Sequence, residues 1–286
     1  MNLLISIISV IALFASSAFA AELTGTLKTI ADSGKIKVGF RVDAPPMSFI
    51  DSSGAAVGYS IDLCRAVADE AATALGRTVT MEFLPITASN RFAAVADGTV
   101  DILCESTTKT LSRAETVDFT SLIFLTGASL LSRSDVQISR LAQLEGRKVA
   151  AIRDTTTIAA LKQALDAAFV RAEIVPVGSA VEGLESLFVR GSDVAAFASD
   201  QIVLIGLILG LRDGVNLLHL SPELLSKETL ALAVRRNDSA FRLVADRALS
   251  QLYRSRRIAV IYDKWFAALP PTPLLQALYE LNAMPD

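Results

Sequence analysis

Alternating apolar and polar positions from Lys35 to Phe40 predict a first strand, with Arg41 at its carboxyl end. Pro45-Pro46 imposes an extended turn, and Asp51-Ser52-Ser53-Gly54 marks a second one. After Gly58-Tyr59-Ser60 the period becomes helical over about 61–75, with Ile61, Cys64, Val67, Ala68 and Ala71 on one face. Thr80 to Leu84 predicts a strand. Thr87-Ala88-Ser89-Asn90 caps a short helix that holds Arg91 in its first turn and closes at Asp97-Gly98. Val100 to Leu103 reads as a buried strand ending at Cys104. The alternation of strands and helices predicts a parallel sheet with helical crossovers.

A second unit repeats the logic. The apolar run Leu122 to Leu131 is expected to carry the chain from one lobe to the other near its end. Leu141 to Leu144 reads as a short helix, Lys148 to Ile152 as a strand, and Asp154-Thr155-Thr156-Thr157 as the start of a helix reaching about Phe169. Glu173 to Val177 and Val194 to Ala198 are strands flanking a helix over Val181 to Arg190. Ser199-Asp200 heads the apolar helix Ile202 to Leu211. Thr229 to Val234 returns as a strand to the first lobe, followed by helices around Ser239–Leu252 and Ile258–Phe266 and a tail from Pro270 to Asp286. Two α/β lobes joined by two crossovers describe a cleft between hinged lobes.

Composition narrows the class. Hydrophobic residues at 52% and charged residues at 20% suit a globular α/β protein, and a net charge of -3 argues against a nucleic-acid partner. One histidine, His219, and two cysteines leave too little for a Cys/His metal site. Residues 4–14 are apolar, and Ala18-Phe19-Ala20 precedes Ala21-Glu22, so residues 1–20 read as a secretory signal peptide cleaved before Ala21. Its n-region lacks Lys and Arg, and a retained membrane anchor is the competing reading. The lobes are expected at 21–130 and 131–226, with 227–286 returning to the first lobe.

Candidate chemistry gathers at the predicted strand ends. Ser106, Thr108 and Arg113 supply two hydroxyls and a planar guanidinium fork, a set suited to a carboxylate. Thr155 and Thr156 open a helix whose N-terminus attracts an anion. Asp200 can pair with an ammonium group. A carboxylate binder and an ammonium binder facing one cleft is the minimum for an α-amino acid. Arg41 and Arg91 remain for a side-chain carboxylate. Cys64 and Cys104 are the two cysteines of an exported chain; a bridge and two buried thiols are both compatible with their spacing.

The order of several segments resembles the periplasmic solute-binding proteins of polar amino acid ABC importers, bacterial extracellular solute-binding protein family 3. Within that family the glutamate/aspartate-binding branch is the nearest. The carriers are Asp32-Ser33-Gly34-Lys35-Ile36, Val57-Gly58-Tyr59-Ser60, Pro85-Ile86-Thr87-Ala88-Ser89-Asn90-Arg91, Asp97-Gly98-Thr99-Val100-Asp101 and the stretch Cys104 to Arg113. Asp154-Thr155-Thr156, Ile261-Tyr262-Asp263-Lys264-Trp265-Phe266 and Leu269-Pro270-Pro271 complete them. The resemblance implies a type II periplasmic binding protein fold, an α/β architecture of two parallel-rich sheets with a two-crossover hinge. It implies a monomer in the periplasm that delivers its ligand to an inner-membrane ABC permease, without chemistry, cofactor or metal. In that frame Arg113 matches the holder of the α-carboxylate, with Ser106, Thr108 and Thr156 donating beside it. Asp200 matches the acceptor of the α-ammonium, and Arg41 and Arg91 match the pair meeting an acidic side chain.

Two departures bear on the ligand. Glu105 and Asp154 stand where that branch usually has glycine, and the second lobe lacks the histidine that the branch places near the side-chain carboxylate. A glutamine- or asparagine-binding member is therefore an alternative to an acidic one. A dehydratase-like enzyme on the same fold, with Glu105 as general acid, is a second alternative. The sensor lobe of a receptor ranks last.

Overall fold

A computed structural model describes residues 23–191, 193–266 and 269–285, so the expected signal peptide lies outside the described residues. The first sheet has the spatial order Thr80–Pro85, Lys35–Phe40, Ile102–Leu103, Glu228–Arg235, Val117–Thr126. Its first three strands run parallel, and Glu228–Arg235 is antiparallel to both neighbours. The second sheet has the order Glu173–Val177, Lys148–Ile152, Val194–Asp200, Ala128–Arg133, Leu218–Leu220. Again three parallel strands lie beside two antiparallel ones. Loops at the carboxyl ends of the parallel strands of both sheets face each other, the position where open α/β sheets bind ligands.

The chain leaves the first sheet at Thr126 and enters the second at Ala128, just before the expected boundary at 130. Gly127 sits between them. A Cβ there would lie 2.2 Å from the Ser226 carbonyl oxygen on the returning crossover, so only glycine lets the two crossovers touch. The Ala128 N–H donates to Ser226 Oγ at 3.0 Å.

The helix expected over 61–75 spans Tyr59–Leu75, and Gly76 closes it in the left-handed conformation. Its predicted core face is buried throughout. Tyr59 is fully buried, and its hydroxyl donates to the Ile123 carbonyl at 2.9 Å, which offsets the cost of enclosing a phenol.

Several elements differ from the expectation. Gly25–Ser33 is a helix that the pattern did not mark. The turns around Pro45 and Asp51 connect a small antiparallel sheet of Asp43–Ala44, Ser48–Ile50 and Ala56–Val57, too short to show periodicity. The tail contains the helix Pro273–Leu281, capped by Thr272, whose side chain accepts from Leu275 N–H. Leu275 and Leu278 bury against the first lobe, and Tyr279 stacks on Tyr253 with centroids 5.2 Å apart.

Cys64, on the core face of the long helix, and Cys104, at the end of the strand Ile102–Leu103, form a disulfide with Cα atoms 6.2 Å apart. It ties the start of the Cys104–Arg113 loop to the helix Tyr59–Leu75. Thiol titration of the oxidised protein under denaturing conditions should find no free thiol. Reduction should lower stability by about 2–4 kcal/mol. Two titratable thiols in protein purified without reductant would overturn the bridge.

Candidate functional site

Arg41, Arg91, Ser106, Thr108, Arg113, Thr155, Thr156 and Asp200 all line one narrow cavity between the two sheets. Glu105, Thr157 and Ser199 also contribute to its wall.

The first-lobe side of the cavity is held by the loop after Ile102–Leu103. Its backbone is laced to the returning strand: Lys109 N–H donates to the Thr229 carbonyl at 2.9 Å and Ala231 N–H to the Thr107 carbonyl at 3.0 Å. Ser60 Oγ donates to the Glu105 carbonyl at 2.9 Å. Arg113 starts a single 3₁₀ turn, Arg113–Glu115, so Ser112 caps no longer helix. Its Nη1 donates to the Thr108 carbonyl at 2.8 Å, and its guanidinium stacks 5.0 Å from the Phe92 ring centroid. No ion pair to a carboxylate forms at Arg113 among the described residues. Burial and the neighbouring Arg91 lower its pKa to about 10, so it remains cationic at neutral pH.

On the second-lobe side, the helix Thr156–Ala168 points its N-terminus into the cavity wall. Thr155 is the N-cap, but its hydroxyl donates to the Ile152 carbonyl at 2.6 Å and caps nothing. Asp154 precedes it at φ 60°, the left-handed conformation for which glycine is the unstrained choice. Asp200 ends the strand Val194–Asp200 and precedes the helix Gln201–Gly210 without capping it. Asp200 is 8% exposed, and its carboxylate receives no side-chain hydrogen bond from the described residues. Burial first, then Glu228 and Glu105, push its pKa up to about 7, against the pull of Arg113 and Arg91.

The two arginines expected to meet a side-chain carboxylate already have acids beside them. Arg41 Nη2 lies 2.7 Å from Asp43 Oδ1, and its Nε donates to the same oxygen at 2.9 Å. Arg91 Nε lies 3.2 Å from Glu105 Oε1, yet misses hydrogen-bond alignment and is left without an acceptor. Glu105 Oε1 accepts from Thr107 Oγ1 at 2.6 Å. Glu105 was legible as a departure. Asp43, two positions after Arg41 in the small sheet, was not singled out.

Another acid escaped the sequence reading entirely. Glu228, 3% exposed, begins the returning strand. Its Oε2 accepts from Thr108 Oγ1 and, at 2.8 Å, from Thr156 Oγ1, while Oε1 accepts from Ser226 Oγ at 3.0 Å. The hydroxyls expected beside a ligand carboxylate are thus directed to the protein's own carboxylate. Nothing in the local sequence distinguishes Glu228 from an ordinary strand-end glutamate.

The lobes meet around this cavity. Ser89 Oγ donates to Asp154 Oδ2, Arg91 Nη2 reaches the Asp154 carbonyl at 3.3 Å, and Ala180 N–H donates to Asp43 Oδ2 at 2.6 Å. Gly206 packs on Pro45, where a Cβ would stand 2.2 Å from the carbonyl oxygen. His219, in the short strand Leu218–Leu220, pairs with Ser139 Oγ at 2.8 Å and takes no part in the cavity wall. Among the described residues no cluster of acids, His and Cys could hold a metal ion, and no helix is long and apolar enough to cross a membrane.

Two α/β lobes, two crossovers and a charged cavity between them define a two-lobed solute-binding protein. Residues 36–268 match the bacterial extracellular solute-binding proteins, family 3, and the chain belongs to that family. It is 32% identical to the L-glutamate/L-aspartate-binding protein of Pseudomonas aeruginosa, over 99% of this chain and 95% of that one. It is 28% identical to the glutamate/aspartate import solute-binding protein of Escherichia coli, over 92% and 87% of the two chains. The crystal structure of the P235GK mutant of the arginine-binding protein from T. maritima shares the fold at a TM-score of 0.73 and 24% identity, covering 85% of this chain and 100% of that one.

Proposed function

We propose that this protein captures a polar, acidic L-amino acid in the interlobe cavity and delivers it to an inner-membrane ABC permease. The carrying observation is a cation and an acid on facing walls that, among the described residues, lack an ionic partner and a donor respectively: Arg113 and Asp200. Zwitterionic α-amino acids complete both. The acidic side chain is supported by the glutamate/aspartate-binding relatives and by Arg41 and Arg91 on the same wall. The expected setting is the periplasm, after removal of the leader, and the expected state is a monomer.

In this reading Arg113 receives the α-carboxylate, assisted by Ser106 and the N-terminus flanked by Thr155, while Thr108 and Thr156 stand beside it with their hydroxyls directed to Glu228. Calorimetry against free L-amino acids should give binding of glutamate or aspartate, with compaction in small-angle scattering. Arg113→Ala removes a bidentate charged contact worth about 1.5–3 kcal/mol per hydrogen bond, so affinity should fall at least about tenfold and toward a thousandfold. No binding of any amino acid by the wild type would remove the proposal. The dehydratase alternative is disfavoured because Glu105 faces Arg91 and Thr107. Recovery of unchanged ligand after prolonged incubation is the expected result.

The two counter-ions favour one refinement. With Asp43 and Glu105 beside Arg41 and Arg91, the side-chain subsite is close to neutral, and glutamine or asparagine should bind as well, though more weakly.

A further inference from the structure

We infer that Glu228 is a positioning residue of the binding cavity, a built-in carboxylate that holds Thr108 and Thr156 across the cleft and biases the two lobes toward closure. Three parts of the molecule converge on it. Thr108 belongs to the first-lobe loop and forms a β-bridge with Leu230 on the returning strand. Thr156 is the first residue of the second-lobe helix Thr156–Ala168. Ser226 lies on the crossover itself and also receives the Ala128 N–H of the other crossover.

Glu228 Oε2 accepts both threonine hydroxyls, and the two hydroxyl oxygens stand 3.3 Å apart. Thr108 moves with the first lobe and with Glu228, because the bridge and the Lys109 and Ala231 backbone bonds fasten the loop to the strand. Thr156 moves with the second lobe. Opening the cleft therefore breaks the Thr156 bond first and leaves a buried carboxylate oxygen with one donor fewer. Closure restores it whether or not a ligand is present.

The arrangement also shapes the ligand's surroundings. Thr108 and Thr156 are oriented by Glu228, so each offers a ligand a lone pair or a shared proton rather than a free hydroxyl donor. Glu228 also places negative charge near both Asp200 and Arg113. This orienting role rests on the amino acid reading; the closure bias does not.

The test compares wild type, Glu228→Ala, Glu228→Gln and Thr156→Val by small-angle scattering without ligand and by calorimetry with glutamate. Ligand-free Glu228→Ala and Thr156→Val should both be more expanded than ligand-free wild type, and both should compact fully at saturation. Affinity should fall about tenfold in Glu228→Ala and less in Glu228→Gln, whose amide oxygen still accepts one hydroxyl. Adding Thr156→Val to Glu228→Ala should cause no further expansion. If Glu228→Ala fails to fold, Thr156→Val carries the same test from outside the crossover. Ligand-free dimensions identical to wild type in the variants that fold would overturn the inference. If the variants expand while no amino acid binds any of the proteins, the closure bias stands and the amino acid reading falls.

Discussion

Asp200→Asn is expected to weaken amino acid binding at least about hundredfold at pH 8 and to abolish its pH dependence. Among the described residues the Asp200 carboxylate has no hydrogen-bond donor, so an α-ammonium group has a place there that an amide cannot match in charge. Its carboxyl group is raised to about 7, chiefly by burial and then by Glu228 and Glu105, with Arg113 and Arg91 opposing. Below that value the ligand-free site holds a proton that must leave before the ammonium can pair. Affinity in the wild type should therefore fall by up to about tenfold per pH unit below 7, and rise to a plateau above it. Calorimetry at pH 7 in buffers of different ionisation enthalpy should reveal a proton released on binding. The sign for stability is opposite. A carboxyl group whose folded value exceeds its unfolded one favours the folded state most below the unfolded value, and stability falls through the window in which the folded state alone holds the proton. The ligand-free protein should lose that contribution as pH rises from about 4 to 7, and ligand should restore stability most above 7. A flat affinity profile between pH 5 and 8 in the wild type would sink the argument.

The parts of the fold legible in the sequence were those with strong periodicity or punctuation. Tyr59–Leu75 announced itself by five core positions at helical spacing. The parallel strands showed as buried runs followed by loops rich in hydroxyls and charge. What escaped has a physical reason in each case. Asp43–Ala44 and Ala56–Val57 are too short for a period, and their pairing depends on turns. Leu218–Leu220 exists because Ala128–Arg133 offers it an edge, which is tertiary information. For the cavity, the position of each predicted side chain was readable from strand ends. Which charges cancel was not. Arg41 and Asp43 are near in sequence, but Glu105 finds Arg91 only after the helix Arg91–Ala96 folds against its strand, and Glu228 arrives from the far end of the chain. Glu105 was readable as an acid able to neutralise one arginine, but its pairing with Arg91, and that of Asp43 with Arg41, were not.

Glu105→Gln should raise the preference for glutamate over glutamine by about tenfold, and Arg91→Ala should lower it by a similar factor. Arg91 has three demands on its guanidinium: the Ala88 carbonyl at 2.7 Å, the Asp154 carbonyl at 3.3 Å, and the Glu105 carboxylate at 3.2 Å. Of these, Glu105 alone supplies a countercharge, and the Nε–H facing it lacks a well-aligned acceptor. Neutralising Glu105 leaves a buried guanidinium without an anion, a state that costs stability in the empty protein. A glutamate side chain can compensate that charge, whereas a glutamine side chain offers one neutral acceptor. A charged hydrogen bond is stronger than a neutral one by about 1–1.5 kcal/mol, which corresponds to roughly a tenfold shift in the ratio of affinities. Thermal unfolding supplies an independent readout. Ligand-free Glu105→Gln should melt below wild type, and glutamate should recover more of the difference than glutamine at equal saturation. Arg91→Ala removes both the cation and its contact with the Phe92 ring, whose centroid lies 4.7 Å away, so its glutamate affinity should fall further than its glutamine affinity. An unchanged glutamate-to-glutamine ratio in both variants would mean that Arg91 and Glu105 form a purely structural pair, with the side-chain selection made elsewhere on the wall.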